Sequence, residues 1–327
     1  MKPASRIRSL GSCLPPKVLT NAELEKIVET SDEWIRTRTG IRERHISGPD
    51  EYSSVLATRA AELALHRAGM TGADLDMIVC CTISPDQPLP ATGCIVQSNL
   101  KATKAVAFDI AAACSGFLYG LSIADQFIRT GKAKNILVIG VEVLSRYVDY
   151  TDRATCVIFG DGAGAAVVTP ADSDSGIYST QIRSDGSLAE FLYIPGGGTH
   201  YPATHHSIDD RLHYIKMKGN ELFKVAVRSM DEISRKVLDD AGMRAGDIDL
   251  LVPHQANQRI SEAVRERLGV PTERIYANID RIGNTSSASI PIALDELYTQ
   301  GRLKEGMNLL LVSFGAGVTW GGALIKW

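Results

Sequence analysis

The sequence predicts an α/β fold of two pseudo-repeated halves, each with a mixed, mostly parallel sheet and with helices layered between and outside the sheets. Three observations predict it. Ala68-Gly-Met-Thr-Gly-Ala-Asp-Leu-Asp-Met-Ile-Val-Cys80 returns almost in register as Ala241-Gly-Met-Arg-Ala-Gly-Asp-Ile-Asp-Leu-Leu-Val-Pro253, an internal repeat of the order helix, turn, strand. Each copy is then followed by a strand, a small-residue turn, a helix and another strand. Each half ends on a glycine-rich turn between strands, Phe159-Gly-Asp-Gly-Ala-Gly164 and Phe314-Gly-Ala-Gly317.

Amphipathic helices over Leu56 to Ala68 and Leu222 to Ala241 open the two repeats. In the first half the chain passes from Phe108-Asp-Ile110 through Cys114 to Asn135-Ile-Leu-Val-Ile139, and in the second from Ile275-Tyr-Ala-Asn278 through Asn284 to Asn308-Leu-Leu-Leu-Val312. Pro, Ser and Asp cluster over Pro170 to Ser175 and mark a boundary. It separates residues 1–172, with Cys114, from residues 173–327, with His254 and Asn284. Arg183 to Arg211, with Gly196-Gly-Gly198, is less regular and is expected to be an inserted loop.

The 327 residues suggest about two domains, and 44% hydrophobic with 22% charged residues is the composition of an ordinary globular protein. A net charge of −3 without a Lys/Arg block gives no reason to invoke nucleic acid or a membrane surface. The six cysteines contain no C-x-x-C pair and no Cys/His ligand spacing, so no metal site or disulfide scaffold is expected and a reduced compartment fits. No apolar run reaches eighteen residues and no signal-peptide core follows the N-terminal charges, so a cytoplasmic protein is expected. The glycines at 160 to 164 do not read as a dinucleotide motif, because Ala165-Ala-Val-Val168 continues as a strand where phosphate cradling requires a helix.

Cys114, in Ala111-Ala-Ala-Cys-Ser-Gly-Phe117, follows the strand Ala105 to Ile110. It precedes a helix with Phe117, Leu121, Ala124 and Ile128 on one face, ended by Gly131. At the first helical turn, unpaired N–H groups and the helix dipole favour thiolate, so a pKa below the free value of ~8.5 is expected. Taken alone, such a cysteine is equally readable as inert packing. His254 lies just past the strand that ends the second repeat, where parallel sheets bind ligands. Asn284, in Arg281-Ile-Gly-Asn-Thr-Ser-Ser-Ala-Ser289, takes the place that Cys114 holds in the other half. Singly they read as a structural histidine and a helix cap; matched positions in the repeat bring all three to one seam. A thiol with neutral donors and no metal suits acyl transfer, with backbone N–H groups of Cys114 and Ala316 as the oxyanion site. The remaining histidines read as surface or core.

Together with Thr30-Ser-Asp-Glu-Trp-Ile-Arg-Thr-Arg-Thr-Gly-Ile-Arg-Glu-Arg-His45, Asp152-Arg153 and Met217-Lys-Gly-Asn-Glu221, these segments are ordered blocks over essentially the whole length. On them the chain resembles the β-ketoacyl-acyl-carrier-protein synthase III family of the thiolase superfamily. The resemblance implies a thiolase-like fold and the first condensation of type II fatty-acid synthesis, without a cofactor beyond the acyl-CoA substrate. An acyl-CoA acylates Cys114, malonyl-acyl-carrier protein binds second, and His254 and Asn284 hold the enolate formed by decarboxylation. It implies that Trp34 and Arg153 sandwich the CoA adenine, and that Thr30, Arg38, Gly219 and Asn257 line the pantetheine path. It implies that Arg259, with Lys224 and Arg228, meets the acyl carrier protein. It also implies a homodimer in which Leu89, in Asp86-Gln-Pro-Leu-Pro90, floors the partner's acyl pocket. A related condensing enzyme of secondary metabolism with a different acyl pair, a cysteine-dependent thioester hydrolase and a non-catalytic acyl-binding scaffold are the other readings.

Overall fold

The computed structural model describes residues 2–327. Nine strands form its two main sheets: β1 (Ser5–Cys13), β2 (Met77–Cys81), β3 (Val106–Ile110), β4 (Ile136–Val143), β5 (Asp161–Pro170), β6 (Gly176–Ser184), β7 (Leu250–Pro253), β8 (Asn308–Gly315) and β9 (Thr319–Lys326). The first sheet has the order β1-β5-β4-β2-β3 and the second β6-β9-β8-β7. Ile275 bridges Leu251 of β7 in parallel, at the place where β3 pairs with β2 in the first sheet. The two orders are the same read from β1 and from β6, which is the sequence repeat expressed as topology.

Pairing departs from the expected predominance of parallel strands. β2 is parallel to β3 and β4, and β7 to β8. The pairs β1/β5, β4/β5, β8/β9 and β6/β9 are antiparallel. The turn Gly315-Ala316-Gly317 sends β9 straight back along β8, the short connection that antiparallel pairs allow, whereas β5 returns against β4 after residues 144–160, which hold only the short turns Leu144–Arg146 and Arg153–Cys156. The expected strand at Ile275 shrinks to that single bridge, because the chain turns into the short helix Ile279–Ile282.

Six helices matter for the site: α1 (Asp32–Thr39), α2 (Ser53–Ala68), α3 (Gly116–Arg129), α4 (Gly219–Asp240), α5 (Gln258–Leu268) and α6 (Ser289–Thr299). Phe117, Leu118 and Leu121 of α3 and Ile290, Ala293, Leu294 and Leu297 of α6 share one buried cluster with β2 and β4 on one side and β7, β8 and β9 on the other. Those two helices are therefore the central layer. α2 packs on the outer face of the first sheet, and α4 and α5 on the outer face of the second. Five layers, α/β/α/β/α, follow. With both faces covered, β2 and β4 are buried at every position, which is why they read as apolar runs, broken in β4 only by Glu142.

Glycine sets how closely the layers approach. A Cβ on Gly120 of α3 would lie 2.7 Å from Val138 Cγ1 and 2.9 Å from Cys81 Sγ. One on Gly315, the last residue of β8, would lie 2.7 Å from the backbone nitrogen of Cys114. Backbone cannot swing aside as a side chain does, so the Gly315→Ala variant is expected to lose about 1–3 kcal/mol of stability. Thermal unfolding measures this, and a Tm equal to that of the parent would show that the two segments are not pressed together.

Candidate active site

Cys114 sits in the single 3-10 turn Ala113–Ser115 that runs directly into α3, with Ala113 at φ 45° aiming the turn. Its backbone is pinned to the second sheet: Ser313 Oγ donates to Cys114 O at 2.7 Å, Ser115 Oγ to Thr319 O at 3.0 Å, and Thr319 Oγ1 to Ala112 O at 2.8 Å. Its mate across the pseudo-repeat differs from the expected one. The turn Ser286–Ala288 runs into α6 in the same manner, with Ser286 at φ 49°. Ser287 therefore holds the register of Cys114, and Asn284 lies three residues earlier. The repeat in the turn is geometric rather than one of residue identity, and so the sequence alone shifts the alignment.

The three expected side chains nonetheless meet. Cys114, His254 and Asn284 line one cavity of about 120 Å³ and are 7%, 2% and 5% exposed. His254 follows β7 and is held by its N–H donating to Val312 O at 2.8 Å. Its Nδ1 lies 2.7 Å from Ser289 Oγ, while Gln255 N–H donates to that same oxygen at 3.4 Å. A hydroxyl that accepts from Gln255 has its proton free for Nδ1, which puts the imidazole proton on Nε2. Nε2 is buried without a protein partner, a donor waiting for a ligand oxygen. Asn284 Oδ1 accepts the Ser286 N–H at 2.8 Å, which leaves the NH₂ end of the amide for the cavity.

Cys114 also lines a second, apolar cavity of about 200 Å³ with Ala113, Ala316, Leu144, Phe159 and Leu192. The sulfur is thus the junction between an apolar chamber and a chamber with two neutral donors. Ala316 is on the apolar side, in the segment that Gly315 brings against the Cys114 backbone. The segment expected as an inserted loop supplies walls: Leu192 lines both cavities, and Tyr193 and Ile194 line the apolar one.

Electrostatics reverse one expectation. Burial pushes the Cys114 thiol up to about 12, with the Glu142 carboxyl raising it further and the Ser286 hydroxyl and the backbone N–H lowering it. The helix N-terminus does not outweigh desolvation here. Burial likewise holds His254 down to about 3, so the ring is neutral at pH 7.

Along the outward path, Gly219 and Asn257 line the donor cavity. Asn257 caps α5, accepting from Arg259 N–H at 2.9 Å and donating to Arg38 O at 2.9 Å, so both ends of its amide are engaged within the protein. Arg38 and Arg153 lie over the two-ring face of Trp34 at 4.9 and 4.6 Å. Arg153 rests on the indole itself, with no room for a further ring between them, and also donates to Glu29 O at 3.1 Å. Thr30 Oγ1 is buried and unpartnered. Arg259, Lys224 and Arg228 are exposed, and Arg259 lies 5.6 Å from the ring of Phe223, which lines the donor cavity. Leu89 is 84% exposed and lines neither cavity of its own chain. Among the described residues no group of three or more His, Cys, Asp or Glu is placed to hold a metal, and no helix is long and apolar enough to cross a membrane.

Sequence reasoning missed Ser289, which sets the His254 tautomer, and the pair Glu142 and Ser286. The signals were present: a lone carboxylate inside the apolar run of β4, and a Ser-rich turn beside Asn284.

His254 is expected to stay neutral from pH 5 to 9 with its proton on Nε2, and Ser289→Ala is expected to mix the tautomers. Imidazole ¹⁵N shifts measure both, and a ring titrating near 6.5 would contradict the first. Because an unfolded histidine binds a proton below about 6.5 and the buried one does not, this group's contribution to stability is complete above about 6.5 and declines as pH falls from there toward 3.

Family models agree with this architecture. Residues 108–186 match 3-oxoacyl-[acyl-carrier-protein] synthase III, and residues 238–327 match the C-terminal model of the same enzyme. The β-ketoacyl-[acyl-carrier-protein] synthase III of Caldanaerobacter subterraneus subsp. tengcongensis is 52% identical over 326 residues, covering 100% of this chain and 98% of that one. The crystal structure of the 3-oxoacyl-[acyl-carrier-protein] synthase III from Aquifex aeolicus superposes with a TM-score of 0.92 at 50% identity, over 99% of this chain and 100% of that one. The priming β-ketosynthase of the R1128 polyketide pathway superposes with a TM-score of 0.92 at 35% identity, over 99% of this chain and 97% of that one. With identity of this order along the full length, the chain belongs to the β-ketoacyl-[acyl-carrier-protein] synthase III family.

Proposed function

We propose that this protein condenses an acyl-CoA primer with malonyl-acyl-carrier protein, with loss of CO₂, to give the 3-oxoacyl-acyl-carrier protein that initiates type II fatty-acid synthesis. The observation that carries the reading is the sulfur of Cys114 at the junction of an apolar chamber and a chamber presenting two neutral donors. The sulfur attacks the primer thioester, and the N–H groups of Cys114 and Ala316 receive the oxyanion. CoA leaves, and the acyl chain lies in the apolar chamber. The malonyl thioester then enters the donor chamber and loses CO₂. Its enolate oxygen is held by His254 Nε2–H and the Asn284 NH₂, and its carbon attacks the acyl group on Cys114. A neutral ring serves here because its N–H stabilises the growing negative charge without surrendering its proton to the carbanion. No step needs a cofactor.

The CoA adenine lies against Trp34 once Arg153 swings off the ring and closes over the base from the other side. Arg38, Thr30, Gly219 and Asn257 lie along the pantetheine path, Asn257 through the tunnel wall it braces. Arg259, Lys224 and Arg228 are the cationic contacts for the acyl carrier protein, and none of them is ion-paired to a carboxylate among the described residues. A cytoplasmic setting and a boundary between residues 172 and 173 belong to the same reading.

A homodimer completes the site in this proposal. β3 is an edge strand with Val106 59% exposed, and an open apolar edge is a template for pairing. An isologous pair through that edge lets the exposed Leu89 reach the partner's apolar chamber. The 35% identical priming ketosynthase favours a second reading, a condensation in secondary metabolism with a different acyl pair. Comparing malonyl-acyl-carrier protein with malonyl-CoA as extender separates the two.

Three outcomes test this function. Cys114→Ala should abolish acyl transfer while retaining malonyl decarboxylation, read as labelled CO₂; release no faster than an enzyme-free blank would refute the donor roles. Asn284→Ala should still be acylated at Cys114, read by mass spectrometry, and should condense about 10²–10³-fold more slowly; condensation at the parental rate would remove that role. In sedimentation the protein should run at twice 35.3 kDa, and a stable monomer at micromolar concentration would overturn the dimer.

A further inference from the structure

We propose that Glu142 is a positioning residue for the condensation: through the Ser286 hydroxyl it holds the turn whose N–H fixes which end of the Asn284 amide faces the donor chamber. The proposal rests on the condensing-enzyme reading and adds to it a residue that lines neither chamber. Two hydrogen bonds make the connection. Ser286 Oγ donates to Glu142 Oε1 at 3.1 Å, and Ser286 N–H donates to Asn284 Oδ1 at 2.8 Å. The Asn284 backbone is gripped separately, its N–H donating to Ile158 O at 3.0 Å and its carbonyl accepting from Gly160 N–H at 3.0 Å. That grip does not choose between the two ends of the side-chain amide, which are nearly equal in size and interchange by rotation about the last torsion. The Ser286 N–H does choose, placing the oxygen toward the turn and the NH₂ toward the enolate. Reversed, the amide would present a carbonyl oxygen to an oxyanion, and attraction would become repulsion.

Glu142 is suited to be the fixed end of this chain. It is fully buried in the first sheet, and its Oε2 accepts from Thr82 Oγ1 at 3.3 Å, Ile83 N–H at 3.1 Å and Ser84 Oγ at 2.5 Å. Ser84 Oγ in turn accepts from Val143 N–H at 2.9 Å. One carboxyl oxygen is thus tied to the residues that follow β2, while the other faces the turn. By this route the first half of the chain aims a side chain of the second.

The pseudo-repeat shows that the fold does not require the pair. The turns Ala113–Ser115 and Ser286–Ala288 share one shape, with Ala113 at φ 45° and Ser286 at φ 49°, so Ala113 stands where Ser286 does and Ala111 where Asn284 does. Met77 and Leu250 are mates in the repeated segment and lie opposite Ile136 and Leu309. Followed along β4 and β8, that register makes Gly315 the mate of Glu142. The first-half turn is therefore built with Ala111, Ala113 and Gly315, and the same left-handed backbone forms there without a hydroxyl or a carboxyl group. The Ser286–Glu142 hydrogen bond occurs in the half that has an amide to aim. A carboxyl group buried in an apolar strand is costly, and orientation of Asn284 is what it contributes.

Single-turnover condensation tests the proposal, with protein already acetylated at Cys114 mixed with malonyl-acyl-carrier protein and quenched. Glu142→Ala should be acetylated by acetyl-CoA within about threefold of the parental rate and should condense about 10- to 10²-fold more slowly. Glu142→Gln should condense at close to the parental rate, because its carboxamide oxygen can take the donors of residues 82–84 while its NH₂ donates to Ser286 Oγ. Ser286→Ala should condense as slowly as Glu142→Ala; its backbone can keep the turn, as Ala113 does, so it carries the test even where Glu142→Ala does not fold. Added to Asn284→Ala, neither substitution should slow condensation further, since no amide remains to be aimed. Slowing by the same factor with and without the Asn284 amide, or loss of acetylation together with condensation, would make the link structural and overturn the proposal. So would a Glu142→Gln protein as slow as Glu142→Ala, which would assign the effect to charge, or a Ser286→Ala protein that condenses at the parental rate. A parent that no acyl-CoA acylates at Cys114 refutes the condensing function itself, a different failure.

Discussion

The reactive centre depends on one packing constraint: two small-residue turns, Ala113–Ser115 and Ser286–Ala288, approach each other between two sheets. Each turn opens one of the two central helices, and each is pressed against backbone of the opposite half. Gly315 of the second sheet lies against Cys114, and Gly140 of the first sheet lies against the backbone of Ser287. Gly116 at the start of α3 lets Cys81 and Ser287 close on it, where a Cβ would meet Cys81 Cβ at 2.9 Å and Ser287 Cβ at 3.4 Å. At Gly116, Gly140 and Gly315 even a Cβ would meet a neighbour within 3.0 Å. The smallness of the residues is what brings a thiol, a hydroxyl, a carboxamide and an imidazole within reach of one ligand.

The same closeness determines the electrostatics. Packing that excludes water penalises charge, so the thiol, the imidazole and the carboxyl group of Glu142 all move toward their neutral forms. For the imidazole this is an advantage in holding an enolate, since a neutral N–H donor stabilises the oxyanion and has no acidic proton to lose. For the thiol it is an obstacle. A nucleophile placed at a helix N-terminus is usually read as activated by the dipole, and in this chain desolvation is the larger effect. Activation must then accompany bond formation rather than precede it.

The site also shows how chambers are divided. Phe159 and Leu192 line both cavities, so the apolar chamber and the donor chamber share a wall that meets at the sulfur. Phe159 belongs to the glycine-rich segment of the first half, where it bridges Asn284 in parallel. Leu192 belongs to the irregular segment of the second half. The wall is therefore built from both halves, as is the triad, and neither half alone presents a site.

Much of this was legible in the sequence. The repeat at Ala68 and Ala241 gave away the two-fold topology, because helix, turn and strand periodicities are local properties of side-chain pattern. The same locality located Cys114 before a buried helix and His254 after a buried strand. Three things were not legible, since each depends on neighbours distant in sequence. Antiparallel pairing of β5 and β9 depends on where the connections 144–160 and 316–318 return the chain. The true mate of Cys114 is Ser287, because the turns match in backbone shape and not in residue type. The direction of the thiol's pKa depends on water exclusion by residues up to 200 positions away, such as Ser313, whose hydroxyl bonds Cys114 O across 199 positions. Sequence by itself determined which groups were available and on which elements; tertiary packing decided their protonation and their partners, because desolvation and hydrogen bonding are set by what surrounds a group in space.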